Sequence, residues 1–303
     1  MKAGHSTVGM APDPRLPQRD LLLDEREVAR RLSASLGLKG RLPVSACERV
    51  RTKYRVGNSL RVVHRVRVEG RDYTVAARTF TGGGSRRAYE RAARSAVECA
   101  PLRAVLHDAE LETVFWTFPN DRKLSGLGLL RDVPAELARL FAPEWTHSRL
   151  VAYAPEKCAT AQCLDNRSRV VGYAKVYAAD EGRGVYETYN ALGQQLSKGK
   201  AALTLPRALA YADEHRTLLL EPVTGPRIAD LAPEELTRGY FRLGAALAAL
   251  HSLRVPEGLP AFERLSPAPH WSRSMSVRQS PRATSFFGYT SPCRQTRTAA
   301  DGS

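Results

Sequence analysis

Long apolar runs are missing from this 303-residue sequence: nothing in it approaches the roughly 20 consecutive apolar residues that cross a bilayer. Its most apolar segment, around Leu243 to Leu250, is far shorter and amphipathic, so no membrane partner is expected. Residues 1–20 are polar and contain proline without an apolar core, which does not fit a signal peptide, and the expected location is cytoplasmic. Paired cysteines are missing as well. Cys47, Cys99, Cys158, Cys163 and Cys293 are odd in number and none has the CxxC spacing of a zinc site, leaving buried or incidental thiols in a reducing compartment. Acidic residues are few beside basic ones, 31 against 46, for a net charge of +15. That excess would suit a nucleic acid or an anionic surface, and a basic nucleic-acid-associated protein is the weakest of the readings kept. No recognisable nucleic-acid module accompanies the charge. In its densest run, Arg41 to Arg78, the residues Arg65, Arg67 and Arg71 alternate with Val66 and Val68, the pattern of a half-exposed strand with a solvated basic face.

The length exceeds one typical domain and predicts two units, with 43% hydrophobic residues to build their cores. Residues 1–20 read as a flexible leader. Leu23, Val28, Leu32 and Leu36 mark an amphipathic helix over Leu21 to Leu38, closed by Gly40. The stretch Tyr54 to Leu60 follows, then two strand-like runs, Arg61 to Val68 and Tyr73 to Phe80, joined by Glu69-Gly70-Arg71-Asp72 with hairpin chemistry. Thr81-Gly82-Gly83-Gly84-Ser85 opens a helix expected to reach about Cys99, before Pro101. This Gly-rich turn could hold an anion at the helix start, but it lacks the G-x-x-x-x-G-K-[ST] pattern, and a plain connecting loop is the expectation. His107-Asp108 is read as a turn rather than an acid–base pair. Leu111 to Phe118 is strand-like, and its Phe115-Trp116-Thr117-Phe118-Pro119 is a core strand rather than a ring-binding patch.

The next hundred residues repeat this plan. Ala77-Arg78 matches Ala174-Lys175, and Tyr89-Glu90 matches Tyr186-Glu187 at the same offset. Thr117-Phe118-Pro119 matches Leu220-Glu221-Pro222 after an insertion around Ser197 to Ala201, and the segment from Pro134 to Arg139 matches that from Pro233 to Arg238. An internal duplication is the simplest cause. The second copy then continues into a helix that opens on Pro233-Glu234-Glu235 and carries Leu236, Tyr240, Leu243, Leu247 and Leu250 on one face down to His251. From Ser266 to Ser303 the chain is rich in Ser, Arg, Pro and Thr without periodicity, which predicts a disordered tail or, alternatively, the product of a shifted reading frame.

The stretch that carries chemistry is Val170 to Tyr177, a β-branched and aromatic run holding one cation, Lys175, followed twelve residues later by Glu187 on a predicted helix. A strand lysine facing a helix glutamate can sit as a fixed point charge against nucleotide phosphates. The plain alternative is an ordinary strand lysine near an ordinary helix glutamate. With the apolar strand Thr217 to Leu220, the segment Glu221 to Gly225 and the helix ending at His251, the order resembles the aminoglycoside phosphotransferase and choline kinase-like family, relatives of the protein kinases. The resemblance covers roughly Glu144 to Leu265, with a weaker echo from about Val50 to Phe141. It implies an α+β fold: a protein kinase-like small lobe, antiparallel sheet plus helix, duplicated, with the start of a helical large lobe. It also implies ATP as cofactor and a small-molecule substrate, with Lys175 on the α- and β-phosphates, Glu187 as its anchor, and the backbone from Glu221 to Val223 hydrogen-bonding adenine. The expected organisation is a leader and helix over 1–44, a degenerate small-lobe repeat over 45–143, a small lobe with the first large-lobe helix over 144–265, and the tail 266–303.

The sequence departs from that family where transfer happens. The family takes its base and metal ligands from a later H-G-D-x-x-x-x-N loop and an acidic motif; here Asp301 is the sole aspartate after Asp230, and no asparagine follows Asn190. Phosphoryl transfer needs hard oxygen ligands for magnesium and a carboxylate for the substrate hydroxyl, so magnesium is not expected to be fully ligated and no catalytic residue is assigned. The phosphate-covering loop is divided between the copies: Gly57-Asn58-Ser59 is in place in the first, which carries Arg78, whereas the second keeps Lys175 but reads Ala154-Pro155-Glu156-Lys157 at the loop. Arginine is bulkier and planar, so the first copy is expected to be structural. The function expected is a small-molecule phosphotransferase by family, truncated and inactive; the alternative is a non-catalytic nucleotide-binding or scaffolding module of the pseudokinase kind. Substrate and oligomeric state are not legible.

Overall fold

The structure is a computed structural model that describes residues 10–198 and 203–253. Two five-stranded antiparallel sheets dominate it. The first comprises β1 (Val44–Arg55), β2 (Ser59–Val68), β3 (Arg71–Thr79), β4 (Val105–Asp108) and β5 (Thr113–Thr117), ordered β1-β2-β3-β5-β4. The second comprises β6 (His147–Ala154), β7 (Cys158–Leu164), β8 (Val170–Tyr177), β9 (Ala208–Ala212) and β10 (Thr217–Leu220), ordered β6-β7-β8-β10-β9. A helix joins the third and fourth strands of each: α3 (Gly84–Ala93) in the first and α5 (Glu181–Lys198) in the second. The same plan is thus built twice, as the matched segments predict. The remaining helices are α1 (Arg19–Leu23), α2 (Glu25–Ser35), α4 (Ala135–Phe141) and α6 (Pro233–His251).

Local chemistry explains much of the first sheet. The β2–β3 hairpin turns on Glu69 and Gly70, at φ of 48° and 75°, the left-handed pair that matches strand twist. Strand β5 is buried on both faces: Phe115 joins one core cluster with α1, α2 and β2, and Trp116 joins a second. That second cluster runs from Val63, Ala76 and Val114 of the first sheet through Leu124 and Leu127 to Ala161, Ala174, Val176 and Leu219 of the second. The two sheets therefore share one apolar interior. A 3-10 helix over Ser125–Leu130 lies in it, so close to the second sheet that a Cβ on Gly126 would fall 2.5 Å from the His215 carbonyl oxygen.

Several expectations are corrected. The leader is not free from residue 10 onward: Asp13, Leu16 and Arg19 are buried, and Asp13 accepts hydrogen bonds from the Tyr54 hydroxyl at 2.5 Å and the Gly57 amide at 2.7 Å. Residues 1–9 lie outside the described residues. The first long helix is two, because the Asp24 side chain caps α2 through the amides of Arg26 and Glu27. Its stripe of Val28, Leu32 and Leu36 packs on the first sheet, so the segment over 1–44 contributes to the core of the unit that follows. Helix α3 stops at Ala93, short of Cys99, because the Asn120 side chain accepts from the Val97 amide and donates to the Val97 carbonyl, withdrawing both from a helical ladder. His107 and Asp108 lie on β4 rather than in a turn; Asp108 pairs with Arg31 and His107 meets the Ser85 hydroxyl. Strand β1 carries no clean alternation of apolar positions in the sequence, because it is an edge strand with Glu48, Arg51 and Arg55 exposed to solvent. Part of the insertion at 197–201, and the whole tail 266–303, fall outside the described residues.

No helix among the described residues is long and apolar enough to cross a membrane. Helix α6 begins as expected, with Pro233 in its first turn, but Tyr240, Leu243 and Leu247 of its stripe are exposed, Leu236 and Leu250 are only partly covered, and Phe241 beside the stripe is exposed as well.

Candidate functional site

Lys175 and Arg78 occupy matching places. Lys175 lies on β8, the third strand of its sheet, opposite Thr160 and Leu218; Arg78 lies on β3, opposite Arg61 and Val114. Each cation stands over the aromatic ring two residues on, Lys175 Nζ 4.9 Å from the Tyr177 ring centre and the Arg78 guanidinium 4.7 Å from that of Phe80. Residues i and i+2 share a strand face, which is what brings each pair together.

The expected partner of Lys175 is not in place. Among the described residues Lys175 makes no ion pair, and Glu187 is exposed. Helical geometry gives the reason. Gly182 and Leu196 are the buried positions of α5, and a Cβ on Gly182 would meet the Tyr211 and Tyr177 rings at 2.6 and 2.7 Å. Five residues on from Gly182, at about 100° per residue, Glu187 points about 140° away from that contact. Glu90 behaves likewise, pairing with Arg86 on the exposed side of α3.

The expected adenine-binding segment is partly engaged. The Glu221 amide donates to the Arg207 carbonyl at 3.0 Å, and its carboxylate accepts from the Arg207 amide and Nε at 2.8 and 2.9 Å. Those bonds continue the β9–β10 pairing past the strand ends. Val223 beyond them is exposed.

The strongest polar cluster involves a residue that carried no role in the sequence, Glu156, in the turn between β6 and β7. It holds a left-handed conformation at φ of 60°, and its side chain is 1% exposed. Its carboxylate accepts from Arg61 Nε and Nη2 at 2.9 and 2.7 Å, from Arg122 Nε at 2.6 Å, and from Arg78 Nη1. Burial by itself would raise the pKa of this carboxyl. The hydrogen bonds and charges of Arg78 and Arg122 outweigh burial and hold it at about 2. Asp121 fixes the turn, accepting from the Glu156 amide at 2.9 Å and the Tyr153 hydroxyl at 2.7 Å. The loop expected to cover phosphates in the second unit is therefore inserted against the arginine of the first.

Other polar features of the first unit are closed in the same manner. The Gly57 amide, in its small-residue loop, is taken by Asp13. At the start of α3, Glu112 accepts from the Ser85 hydroxyl at 2.6 Å, and His107 Nε2 lies 2.8 Å from the same oxygen. Ser85 is 1% exposed, and its proton is committed to a carboxylate, so this Ser–His–Glu group is no nucleophile. Cys47 and His64 approach at 3.7 Å, but burial pushes the thiol up to about 12 and the imidazole down to about 3, leaving both neutral. A groove lined by Tyr189, Gln194, Leu196, Leu205 and Leu209 has no carboxylate or histidine in its wall among the described residues. Nor do three His, Cys, Asp or Glu side chains among the described residues gather in a way that could hold a metal.

No protein-family model matches this sequence, and no curated protein does. Among solved structures the chain is similar to the aminoglycoside phosphotransferase APH(2'')-IIa in a ternary complex with streptomycin and ATP, at 16% identity and a TM-score of 0.30. The match covers 41% of this chain and 40% of that one.

Proposed function

We propose that this chain is a kinase-like nucleotide-binding protein whose second sheet receives the phosphates of ATP at Lys175. One observation supports the reading above the rest: two sheets of the same strand order place a cation at the same point of their third strands, and the cation of the second sheet makes no ion pair among the described residues. A half-buried ammonium beside an aromatic ring, with no ion-pair partner among the described residues, is suited to a phosphate group. Exposed Val223 leaves backbone within reach of a base, whereas the Glu221 amide is already committed, which narrows the proposed adenine contact to its Val223 end.

Bound ATP would supply a transferable phosphoryl group. In this reading the residues of this chain bind and orient it; no three His, Cys, Asp or Glu side chains among those described gather in a way that could hold a magnesium ion. Membership of a phosphotransferase family acting on small molecules therefore enters as ancestry, with nucleotide binding as the retained property. Titration with a non-hydrolysable ATP analogue tests this. Lys175→Ala should weaken binding at least tenfold, and equal affinity in the variant would remove the assignment.

A second reading, a non-catalytic scaffold, is favoured by the first unit, whose arginine, glycine loop and helix start are each occupied by the chain's own carboxylates. ATP hydrolysis or substrate phosphorylation by the purified chain would eliminate it.

A further inference from the structure

We infer that the first unit contains a separate binding site for a phosphate-class oxyanion, built from Arg61, Arg78 and Arg122, which Glu156 fills in cis. The inference is independent of Lys175 and of nucleotide binding by the second unit.

The argument begins with charge. Three guanidinium groups converge on a single carboxylate, two of them on the same oxygen, Oε2. A carboxylate has two oxygens and one negative charge, so it neither neutralises the three cations nor satisfies their donors. Arg78 Nε is buried without a hydrogen-bond partner. The excess extends outward: burial first, and then the like charges of Arg55, Lys157, Arg61 and Arg51, hold the Lys53 ammonium below its ordinary value. Asp121, the other carboxylate of the bonded network, is taken up by the amides of Lys123, Leu124 and Glu156 and by the Tyr153 hydroxyl. The three guanidinium side chains are largely but not fully buried, each 19% exposed, so the uncompensated charge carries a desolvation cost and stays within reach of an anion from solvent. Planar, forked donors in excess suit a tetrahedral oxyanion with more oxygens and more charge.

Placement agrees with this. Arg61 and Arg78 are paired neighbours on β2 and β3, so the rigid centre of a sheet fixes two of the three donors. Arg122 reaches them from the segment after β5, and Glu156 arrives from the other sheet on a turn strained at φ of 60°. The anion sites of a sheet are thus permanent, while the group that fills them is a single side chain on a turn. Replacing Glu156 by glycine both opens the space and suits the left-handed conformation.

The test is calorimetric titration of the full chain with inorganic pyrophosphate at constant ionic strength, with Lys175→Ala present in every sample so that the phosphate site proposed on the second unit does not contribute. Wild type should bind weakly, because Glu156 competes from within. Glu156→Gly should bind at least tenfold more tightly, and Arg78→Leu added to Glu156→Gly should return affinity to the wild-type level. Equal affinity of wild type and Glu156→Gly overturns the inference. Tight binding that survives Arg78→Leu also overturns it, since it would report the general basic surface. If Glu156→Gly does not fold alone, its melting temperature is followed in pyrophosphate against matched sodium chloride: recovery by pyrophosphate supports the site, and no recovery marks Glu156 as a structural strut. Titrating ATP in parallel separates the sources of the ligand, tighter binding than pyrophosphate indicating a nucleotide and equal binding a free polyphosphate; either supports the site.

Discussion

Replacing Glu156 by glutamine should expose how much of the fold depends on one ionised side chain. Glutamine keeps the shape and approximates the protonated acid, so the substitution isolates the charge. In the native chain the carboxyl is held at about 2, against 4.5 for the free group. Each unit is worth about 1.4 kcal/mol, so ionised Glu156 contributes about 3 kcal/mol at neutral pH. That agrees with the 3–5 kcal/mol typical of removing one partner from a buried ion pair, and it is a large share of a domain's net stability of about 5–15 kcal/mol. Because the folded value is depressed, the contribution is complete above pH 4.5 and is lost as pH falls toward 2. About 1.4 kcal/mol of it should be gone by pH 3.5, where unfolded chains bind a proton that the native state does not. Urea unfolding of wild type and Glu156→Gln at pH 7 and pH 3.5 measures both quantities. The gap in unfolding free energy should be about 3 kcal/mol at pH 7 and narrow by about half at pH 3.5. A variant as stable as wild type, or a gap indifferent to pH, would show that solvent rather than the carboxylate compensates the three arginines.

Two further stability predictions address the core and the contact between sheets. His64 is fully buried with Nε2 unpartnered and an imidazole pushed by burial, and then by Arg49, to about 3. Its unfolded form takes up a proton below about 6.5 while the native form stays neutral, so wild type should lose about 1.4 kcal/mol more than His64→Leu between pH 7.5 and 5.5; parallel pH profiles in denaturant titrations would refute this. Gly126→Ala drives a Cβ to 2.5 Å from the His215 carbonyl oxygen and 3.1 Å from Val176 Cγ1, which should cost about 1–3 kcal/mol. Gly128→Ala, in the same 3-10 helix with nothing within 4 Å of its Cβ, should cost less than half as much by thermal unfolding, and equal losses would count against close packing at this contact.

Corrections at the Lys175 site follow from one cause. The twelve-residue spacing to Glu187 is a property of the sequence, whereas whether the two meet depends on how α5 rotates about its axis. That rotation is set by Gly182 lodged between Tyr177 and Tyr211, contacts made with β8 and β9. Asn120 and α3 tell the same story, since a side chain from beyond β5 decides where a helix of favourable local composition ends.

Periodic and local information in the chain determined a good deal without help. Glu69-Gly70 specified a hairpin, Val28, Leu32 and Leu36 a helix face, and the matched offsets of Arg78 with Glu90 and Lys175 with Glu187 a plan used twice. Each rests on backbone preferences or side-chain periods that act over a few residues and persist in any compact state. What only the tertiary structure decided are the long-range electrostatic partnerships: Asp13 on Gly57, Glu112 on Ser85, and above all Glu156 on Arg61, Arg78 and Arg122. The last joins residues 34 to 95 positions apart. No propensity or spacing rule encodes such a meeting, because it exists only once two sheets share an interior and bring a turn of one against the cations of the other.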